Sequence, residues 1–247
     1  MDDNSQSAFL KAEWRYLAIL NFDVDPAVLS PLVPAGTELD SWEGRTVVSL
    51  VGFLFLKTRI FGIPVPFHRN FEEVNLRFYV RRKTSDGWRR AVVFVKELVP
   101  RFAIALTARA LYGENYVAVP MSHRIGLANE NGEAVRRVSY RWKASGRENS
   151  IQLMAQGESR EIKPGSEEEF ITEHYWGYTK RKQGRTLEYQ VAHPRWRTWT
   201  AKNAEFSGEI EHLYGSQFVE SLRVLPTSAF LADGSEVTVF KGISLPL

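Results

Sequence analysis

Alternation of apolar and polar residues runs through most of the chain and predicts a protein built mainly of β-strands. The longest apolar run, LVGFLFL at 50–56, lies inside a β-branched and aromatic segment over 45–60. Strand patterns also cover 12–24, 71–83 and 88–99, and the last two flank the turn sequence TSDG, as in a hairpin. A membrane-spanning helix needs about 20 apolar residues, so the run at 50–56 indicates a buried strand.

Helical signals are few and short. Segment 25–34 begins with Asp and then Pro at the first helical position, and segment 165–174 has a Ser followed three residues later by Glu, a capping-box pattern. Apolar residues at helical spacing occur over 101–113, and a fourth short helix is predicted around 208–222. The expected fold class is therefore mainly β (α+β), with a few short peripheral helices.

The second half of the chain adds more strands. Three strand-like segments with NENG as the first turn predict a meander over 116–159, and two last strands are predicted on either side of ADGS at 232–235. Runs of antiparallel strands with few helices favour a closed or nearly closed β barrel, or two packed sheets. No linker divides the chain, so a single domain over 1–247 is predicted.

The strand FEEVNLRFYV has an apolar face and a polar face, and the polar face carries Glu73, Asn75, Arg77 and Tyr79. One interpretation is a half-buried strand whose polar face meets water. The other is a barrel strand whose polar face lines a cavity. In that case Arg77 is the natural anchor for an acidic ligand, because a guanidinium matches a carboxylate with two hydrogen bonds.

The stretch ITEHYWGYTKRKQGRTLEYQVAHPRW, residues 171–196, predicts an aromatic-rich hairpin. Its aromatic face is expected to point into the core and to bury His174 and His193. Such a histidine is either a neutral, hydrogen-bonded core residue, or a general base or ligand donor oriented by Glu173 or Glu188.

Composition excludes several kinds of site. The 247 residues contain no cysteine, which removes disulfides, thiolate nucleophiles and cysteine-based metal sites. The acidic, polar start of the chain does not resemble a signal peptide, and a cytoplasmic location is predicted. The donors His174, Glu188 and His193 lack a recognised metal-binding spacing, and no phosphate-binding glycine loop is present, so neither a metal nor a cofactor is predicted.

Charge leaves one further possibility open. The net charge is only +3, yet RRKTSDGWRR at 81–90 places five cations and Trp88 around one turn. This segment is either a solvated hairpin tip or a contact for nucleic acid. Because the overall charge is nearly balanced, nucleic-acid binding is the least favoured function.

Four motifs, FEEVNLRFYV, LTARALYGENY, EHYWGYT and EYQVAHPRW, occur in this order and resemble the YqjF-like family of uncharacterised bacterial proteins. The resemblance covers about residues 8–245. It implies the acetoacetate-decarboxylase-like fold, an antiparallel β barrel or cone with a central cavity. Acetoacetate decarboxylases carry a Schiff-base lysine after a Gly-Arg-Glu, Trp-Gly, Pro-Lys-Lys pattern. Here Arg109 matches the arginine and Tyr112-Gly113 resembles Trp-Gly, but the lysines are absent.

The predicted function is the binding of a small organic acid or a similar ligand in the cavity, with or without turnover; the alternative is a non-catalytic ligand-binding or sensor barrel. Glu73 and His174 are the candidate proton-transfer residues. The candidate ligand-binding residues are Asn75, Arg77, Arg109, Tyr112, Tyr175, Trp176 and His193. No membrane partner is predicted, and long edge strands leave room for a homo-oligomer.

Overall fold

The computed structural model describes residues 7–100, 115–130, 132–181 and 184–245. Within these ranges, sixteen strands join into one hydrogen-bonded sheet. The strands are β1 Ala8–Asp23, β2 Glu38–Leu39, β3 Val47–Ile60, β4 Ile63–Pro64, β5 Phe71–Thr84, β6 Gly87–Val99, β7 Tyr116–Ala118, β8 Met121–Glu130, β9 Glu133–Ala144, β10 Arg147–Gln156, β11 Arg160–Glu161, β12 Trp176–Lys180, β13 Thr186–Ala192, β14 Arg197–Ser207, β15 Ser228–Phe240 and β16 Ile243–Ser244. The mainly β prediction is confirmed.

The helices of the described residues are short. They are α1 Pro26–Leu29, α2 Glu167–Thr172, α3 Ile210–Tyr214 and α4 Val219–Leu222, with 3-10 turns at Ser30–Leu32 and Ser216–Phe218. The two predicted caps are present: the Asp25 side chain accepts from the Ala27 N–H at 2.8 Å, and the Ser166 hydroxyl accepts from the Glu169 N–H at 3.3 Å. The helix predicted over 101–113 lies outside the described residues.

Seven strands close into a ring, which positions the site. Around the ring their order is β12, β6, β5, β3, β1, β15 and β13, and the β13–β15 pairing at Val191 and Val239 completes the circle. The neighbours in the ring run antiparallel except β12 and β6, which pair in parallel. No helix among the described residues is long and apolar enough to cross a membrane.

A second layer covers the outside of the ring. Strands β14, β10, β9 and β8 continue the sheet from β15, and β8, β9 and β10 form the predicted meander. The outer core lies between these layers and includes Val48, Leu50, Val74, Leu76, Phe78, Val138, Tyr140, Trp142, Ile151 and Leu153. The two layers touch closely at Gly52, where an added Cβ would lie 2.5 Å from the Tyr140 ring atom Cδ2.

The prediction of two strands separated by a turn at ADGS is wrong, because β15 runs through these residues without interruption. Gly234 has a positive φ of 76° but pairs with Arg15 inside the β1–β15 ladder. A Cβ at this position would lie 2.0 Å from the Trp14 carbonyl oxygen. The glycine therefore permits a close approach of two strands, and it resembles a turn residue only in sequence.

Candidate functional site

The interior of the ring contains a cavity of about 180 Å³. All seven ring strands contribute side chains to its wall, together with residues between α2 and β12. Most of the wall is apolar and is formed by Leu17, Val51, Phe53, Phe55, Phe71, Val92, Phe94, Tyr189, Val191 and Trp196. A concave apolar site with a few converging polar groups is the usual form of a small-molecule site.

Strand β5 supplies the polar centre of the cavity. Glu73, Asn75 and Arg77 are buried and line the cavity, while the alternate side chains of the strand pack into the outer core. Both faces of β5 are therefore covered by protein, because the strand lies between the ring interior and the second layer. This excludes the interpretation in which the polar face of β5 meets water.

A β-bulge in β6 adds a second carboxylate. Arg77 pairs with Phe94 and Asn75 pairs with Glu97, so the register shifts between them by one residue. Without the shift, Phe94 and Glu97 would point to opposite faces; with it, both line the cavity. Tyr116 of β7 pairs with Glu97 and also lines the cavity. Glu97 and Tyr116 could not be predicted as site residues, because a bulge and a three-residue strand leave no clear periodic pattern in the sequence.

Glu73 is held by its neighbours on the cavity wall. The Asn75 amide Nδ2 donates to Glu73 Oε1 at 2.9 Å, and the Tyr116 hydroxyl donates to Glu73 Oε2 at 3.3 Å. Glu73 and Arg77 form no ion pair with each other, although both line the cavity. The amide oxygen of Asn75 is buried and has no hydrogen-bond partner among the described residues.

Arg77 has an unusual environment for a charged side chain. It is 8% exposed, and its Nη2 donates to the Ile171 carbonyl oxygen at 3.1 Å. Its guanidinium carbon lies 5.8 Å from the centre of the Tyr79 ring. Its Nε is buried and unpartnered, and no carboxylate oxygen of a described residue lies within 4 Å of its nitrogens. Burial of a cation without a counter-ion is costly, so this position favours an anion in the cavity.

His174 follows the end of α2 and is 6% exposed. Its ring lies 4.8 Å from the Tyr79 ring and 5.8 Å from the Phe170 ring, measured between centroids. Neither ring nitrogen has a hydrogen-bond partner within the described part of the chain. Burial lowers the pKa of His174 well below 6.5, and the positive charges of Arg90 and Arg77 lower it further. The imidazole is therefore neutral at neutral pH, and its burial was predicted correctly.

His193 and Trp176 line the same cavity as Arg77 and His174. His193 is only half-buried, so the prediction that it lies buried in the core is only partly correct. Its ring stacks on Trp196 at 4.5 Å and is tilted by 33° against the Tyr175 ring at 4.9 Å. Burial is the main cause that lowers the pKa of His193.

Tyr175 is not among the described residues that line the cavity; it lies behind His193. Its hydroxyl donates to Glu173, and burial together with this contact raises the pKa of Tyr175 to about 12. Arg109 and Tyr112, predicted as ligand-binding residues, lie outside the described residues.

Glu188 does not orient a histidine. It is 1% exposed and forms ion pairs with Arg82 at 3.0 Å and Arg89 at 2.8 Å. The Tyr178 hydroxyl donates to Glu188 Oε2 at 2.6 Å. We call these four residues the Glu188 cluster. These contacts engage both carboxylate oxygens of Glu188, which gives it a structural role.

The other two arginines of the basic hairpin are also paired. Arg81 contacts Glu38 at 2.7 Å and Arg90 contacts Asp40 at 2.8 Å. The four arginines at 81–90 are thus engaged with carboxylates of the protein. These ion pairs explain the basic cluster without a nucleic acid.

Two kinds of group are missing from the described residues around the cavity. None of the described residues that line it is a lysine. In the same ranges of the chain, no group of three or more His, Asp or Glu side chains is arranged to hold a metal ion. The polar groups that these residues offer are therefore one guanidinium, two carboxyl groups, imidazole rings, an amide, and the hydroxyl and indole N–H groups of the wall.

Comparison with known sequences places the chain in a family. The model of the DUF2071 family, described as an uncharacterized conserved protein, matches residues 11–236. The uncharacterized protein YqjF of Bacillus subtilis (strain 168) is 28% identical over 204 residues, which are 79% of this chain and 76% of that protein.

Solved structures share the fold. The enduracididine biosynthesis enzyme MppR, complexed with pyruvate, superposes with a TM-score of 0.67 at 11% identity, covering 99% of this chain and 93% of that one. Acetoacetate decarboxylase from Legionella pneumophila gives a TM-score of 0.62 at 14% identity over 98% of this chain and 90% of that one. An acetoacetate decarboxylase-like enzyme from Sphingomonas wittichii RW1 gives 0.63 at 15% identity, covering 97% and 94%. The ring of strands is the fold of acetoacetate decarboxylase-like enzymes. The sequence match over residues 11–236 makes this chain a member of the DUF2071 family.

Proposed function

We propose that the protein binds a small organic acid in the ring cavity and that Arg77 holds its carboxylate. The observation that carries the proposal is the buried guanidinium of Arg77, which borders the cavity and has no carboxylate within 4 Å among the described residues. A bound carboxylate would offset the cost of burying this cation and would accept two parallel hydrogen bonds from it.

The neighbouring groups support an acid that carries a second polar atom. The unpartnered amide oxygen of Asn75 can accept a hydrogen bond, and the neutral ring of His174 can donate one and accept one. A solved neighbour with the same fold holds pyruvate, itself a small organic acid. That protein is only 11% identical to this chain, so it supports the class of ligand and not its identity.

Glu73 and His174 are the proposed proton-transfer residues if the protein is an enzyme. A neutral imidazole can take a proton from a carbon atom next to a carbonyl group, and Arg77 would stabilise the negative charge that forms. Glu73 is oriented by hydrogen bonds from Asn75 and Tyr116, and its carboxyl group can accept a proton from a bound ligand and return it. A Schiff base is not proposed, because no described residue of the wall is a lysine.

Thermal unfolding in the presence of acetate, pyruvate, acetoacetate and benzoate tests the binding proposal. An acid at about 100 times its dissociation constant stabilises by about 2.7 kcal/mol, a shift of roughly 5–10 °C for a chain of this size. Arg77→Met should abolish the shift. Arg141→Met, on the exposed surface of β9, is the charge-matched control and should retain it. If no acid shifts the wild type, the proposal is wrong.

Solvent deuterium exchange separates an enzyme from a non-catalytic binder or sensor. An enzyme should exchange the hydrogen next to the carbonyl of a bound keto acid, as followed by proton NMR. His174→Gln should slow this exchange while binding of the acid persists, and Glu73→Gln should change its pH profile. If the wild-type protein binds the acid but does not exchange its hydrogen atoms with solvent, the protein is a ligand binder without catalytic activity.

A further inference from the structure

We infer that the cavity has a second polar contact point far from Arg77, formed by Thr58 and Trp14, and that the natural ligand is an elongated acid with a one-ring apolar body and an uncharged hydroxyl group at its far end. We call Thr58 and Trp14 the distal pair. The inference rests on the proposed function for the carboxylate end, because it takes Arg77 as the other anchor.

Both members of the distal pair carry an unsatisfied polar atom. Thr58 lines the cavity and is 3% exposed, and its hydroxyl has no hydrogen-bond partner among the described residues. The indole Nε1 of Trp14, another cavity residue, is also buried without a partner there. Buried polar groups are nearly always hydrogen-bonded in folded proteins, so two unsatisfied ones in the wall of one cavity indicate that a ligand supplies the partners.

The strand register places the distal pair and Arg77 at opposite ends of the cavity. Trp14 pairs with Phe55, and Phe55 pairs with Phe71, whereas Arg77 pairs with Ser49. Phe71 and Arg77 are six residues apart on β5, which corresponds to about 20 Å of strand. The long side chains of Arg77 and Trp14 shorten this gap but do not close it. A three-carbon acid is therefore too short to contact both ends.

The wall near the distal pair is built of aromatic rings. Trp14 makes edge contacts with Phe53 at 5.4 Å and Phe55 at 5.8 Å, and Phe55 stacks on Phe71 at 4.7 Å. Rings arranged in this way favour an aromatic body in the ligand. The cavity volume of about 180 Å³ sets its size. A cavity of about 150 Å³ holds benzene, so there is room for one ring with short substituents and not for two.

The far end of the ligand should be uncharged. Arg77 is the only arginine or lysine among the described residues that line the cavity, so the distal end offers no cation for a second carboxylate. The Trp14 N–H can only donate, and the Thr58 hydroxyl can donate or accept. A phenolic hydroxyl has the chemistry for both, because it can accept from an indole N–H and donate to a threonine hydroxyl.

Binding of three acids to the full chain tests the inference: para-hydroxyphenylpropanoate, phenylpropanoate and pyruvate. In the wild type the hydroxyl should increase affinity about 10-fold over phenylpropanoate. Thr58→Val should reduce this gain to less than about 2-fold without weakening phenylpropanoate, and Thr58→Ser should retain it. Thr198→Val is the matched control, since the Thr198 hydroxyl is also buried and unpartnered but lies outside the cavity wall.

The outcomes separate this inference from the proposed function. Equal affinity of the two aryl acids in the wild type, or a hydroxyl gain that survives in Thr58→Val, overturns the distal pair. If Arg77→Met nevertheless abolishes binding of the aryl acids or pyruvate, the carboxylate anchor stands. If none of the three acids binds the wild type in a way that depends on Arg77, both proposals fail. The inference is supported if the affinity gained from the ligand hydroxyl is lost in Thr58→Val and kept in Thr198→Val.

Discussion

Glu188 and Arg77 are both charged, both buried and both carried by strands of the same ring, but their surroundings differ. Glu188 has two arginines and a tyrosine hydroxyl around its carboxylate. Arg77 has one backbone carbonyl and a tyrosine ring, and among the described residues it has no carboxylate. Glu188 is satisfied by the protein alone, whereas Arg77 keeps a buried Nε that has no partner among the described residues.

The difference shows how a structural charge is distinguished from a functional one. Burial alone does not separate them, because both side chains are less than one-tenth exposed. The separating property is whether the hydrogen bonds that a charge needs are present in the folded chain. Around the cavity, atoms of Asn75, Arg77, His174, Thr58 and Trp14 lack partners within the described residues. Natural proteins accept such costs at functional sites.

The largest expected effect is on the Glu188 cluster. Glu188→Gln removes the charge that Arg82 and Arg89 share, so unfolding free energy should fall by about 2–3 kcal/mol. Urea unfolding measures the change. Glu38→Gln is the control, because the Glu38–Arg81 pair is exposed and should be worth less than about 1 kcal/mol. Equal effects of the two substitutions would contradict the structural role of the Glu188 cluster.

A fall in pH should lower the unfolding free energy through the histidines of the cavity wall. Below pH 6.5 the unfolded chain binds a proton at His174, whereas the folded state resists it because the folded pKa is lowered. Stability should therefore drop as pH falls below 6.5, by up to about 1.4 kcal/mol per pH unit for each such histidine. His193 contributes in the same direction. His174→Gln should flatten the unfolding free energy between pH 6.5 and pH 5. An unchanged slope would mean that the folded and the unfolded chain bind a proton at His174 equally well.

Arg77→Met should change stability in the opposite direction to Glu188→Gln. It removes an uncompensated buried cation and leaves an apolar side chain of similar length, so the ligand-free protein should be unchanged or more stable by about 1–2 kcal/mol. Chemical denaturation in acid-free buffer gives the value. A loss of 2 kcal/mol or more would show that Arg77 is a structural residue.

The smallest effect is expected at the distal pair. Thr58→Val replaces a hydroxyl that makes no hydrogen bond among the described residues, so unfolding free energy should change by less than about 0.5 kcal/mol. Thr46→Val is the contrast, because the Thr46 hydroxyl donates to the Val24 carbonyl at 2.5 Å; its loss should cost about 1–2 kcal/mol. Equal losses in the two variants would mean that Thr58 already has a partner.

Much of the fold follows from local patterns. The alternation in β5 assigns its two faces correctly, and the cap residues of α1 and α2 mark their starts. These features depend on neighbours within a few residues, so the sequence displays them directly. ADGS is the exception, because the glycine that signals a turn serves the contact between β1 and β15.

The site could be predicted only in part. The sequence offered Glu73, Asn75, Arg77, His174, Trp176 and His193 as candidates but could not show that they share one cavity, because which strand faces turn inward depends on ring closure by β13 and β15. Glu97 reaches the cavity through a bulge that no periodicity shows. In sequence, Thr58 looks like any other strand threonine, and only its missing hydrogen bond in the folded chain distinguishes it. These features depend on contacts between distant parts of the chain, so the sequence does not display them.

Thermal unfolding of the wild type and of Arg77→Met, each with and without the panel of organic acids, decides whether Arg77 is a ligand anchor or a structural residue. We expect Arg77→Met without acid to melt no lower than the wild type. An acid should raise the wild-type midpoint by roughly 5–10 °C and should leave the midpoint of the variant unchanged. A variant that melts well below the wild type, beside a wild type that no acid stabilises, would contradict these expectations. Arg77 would then be part of the structure, as Glu188 is.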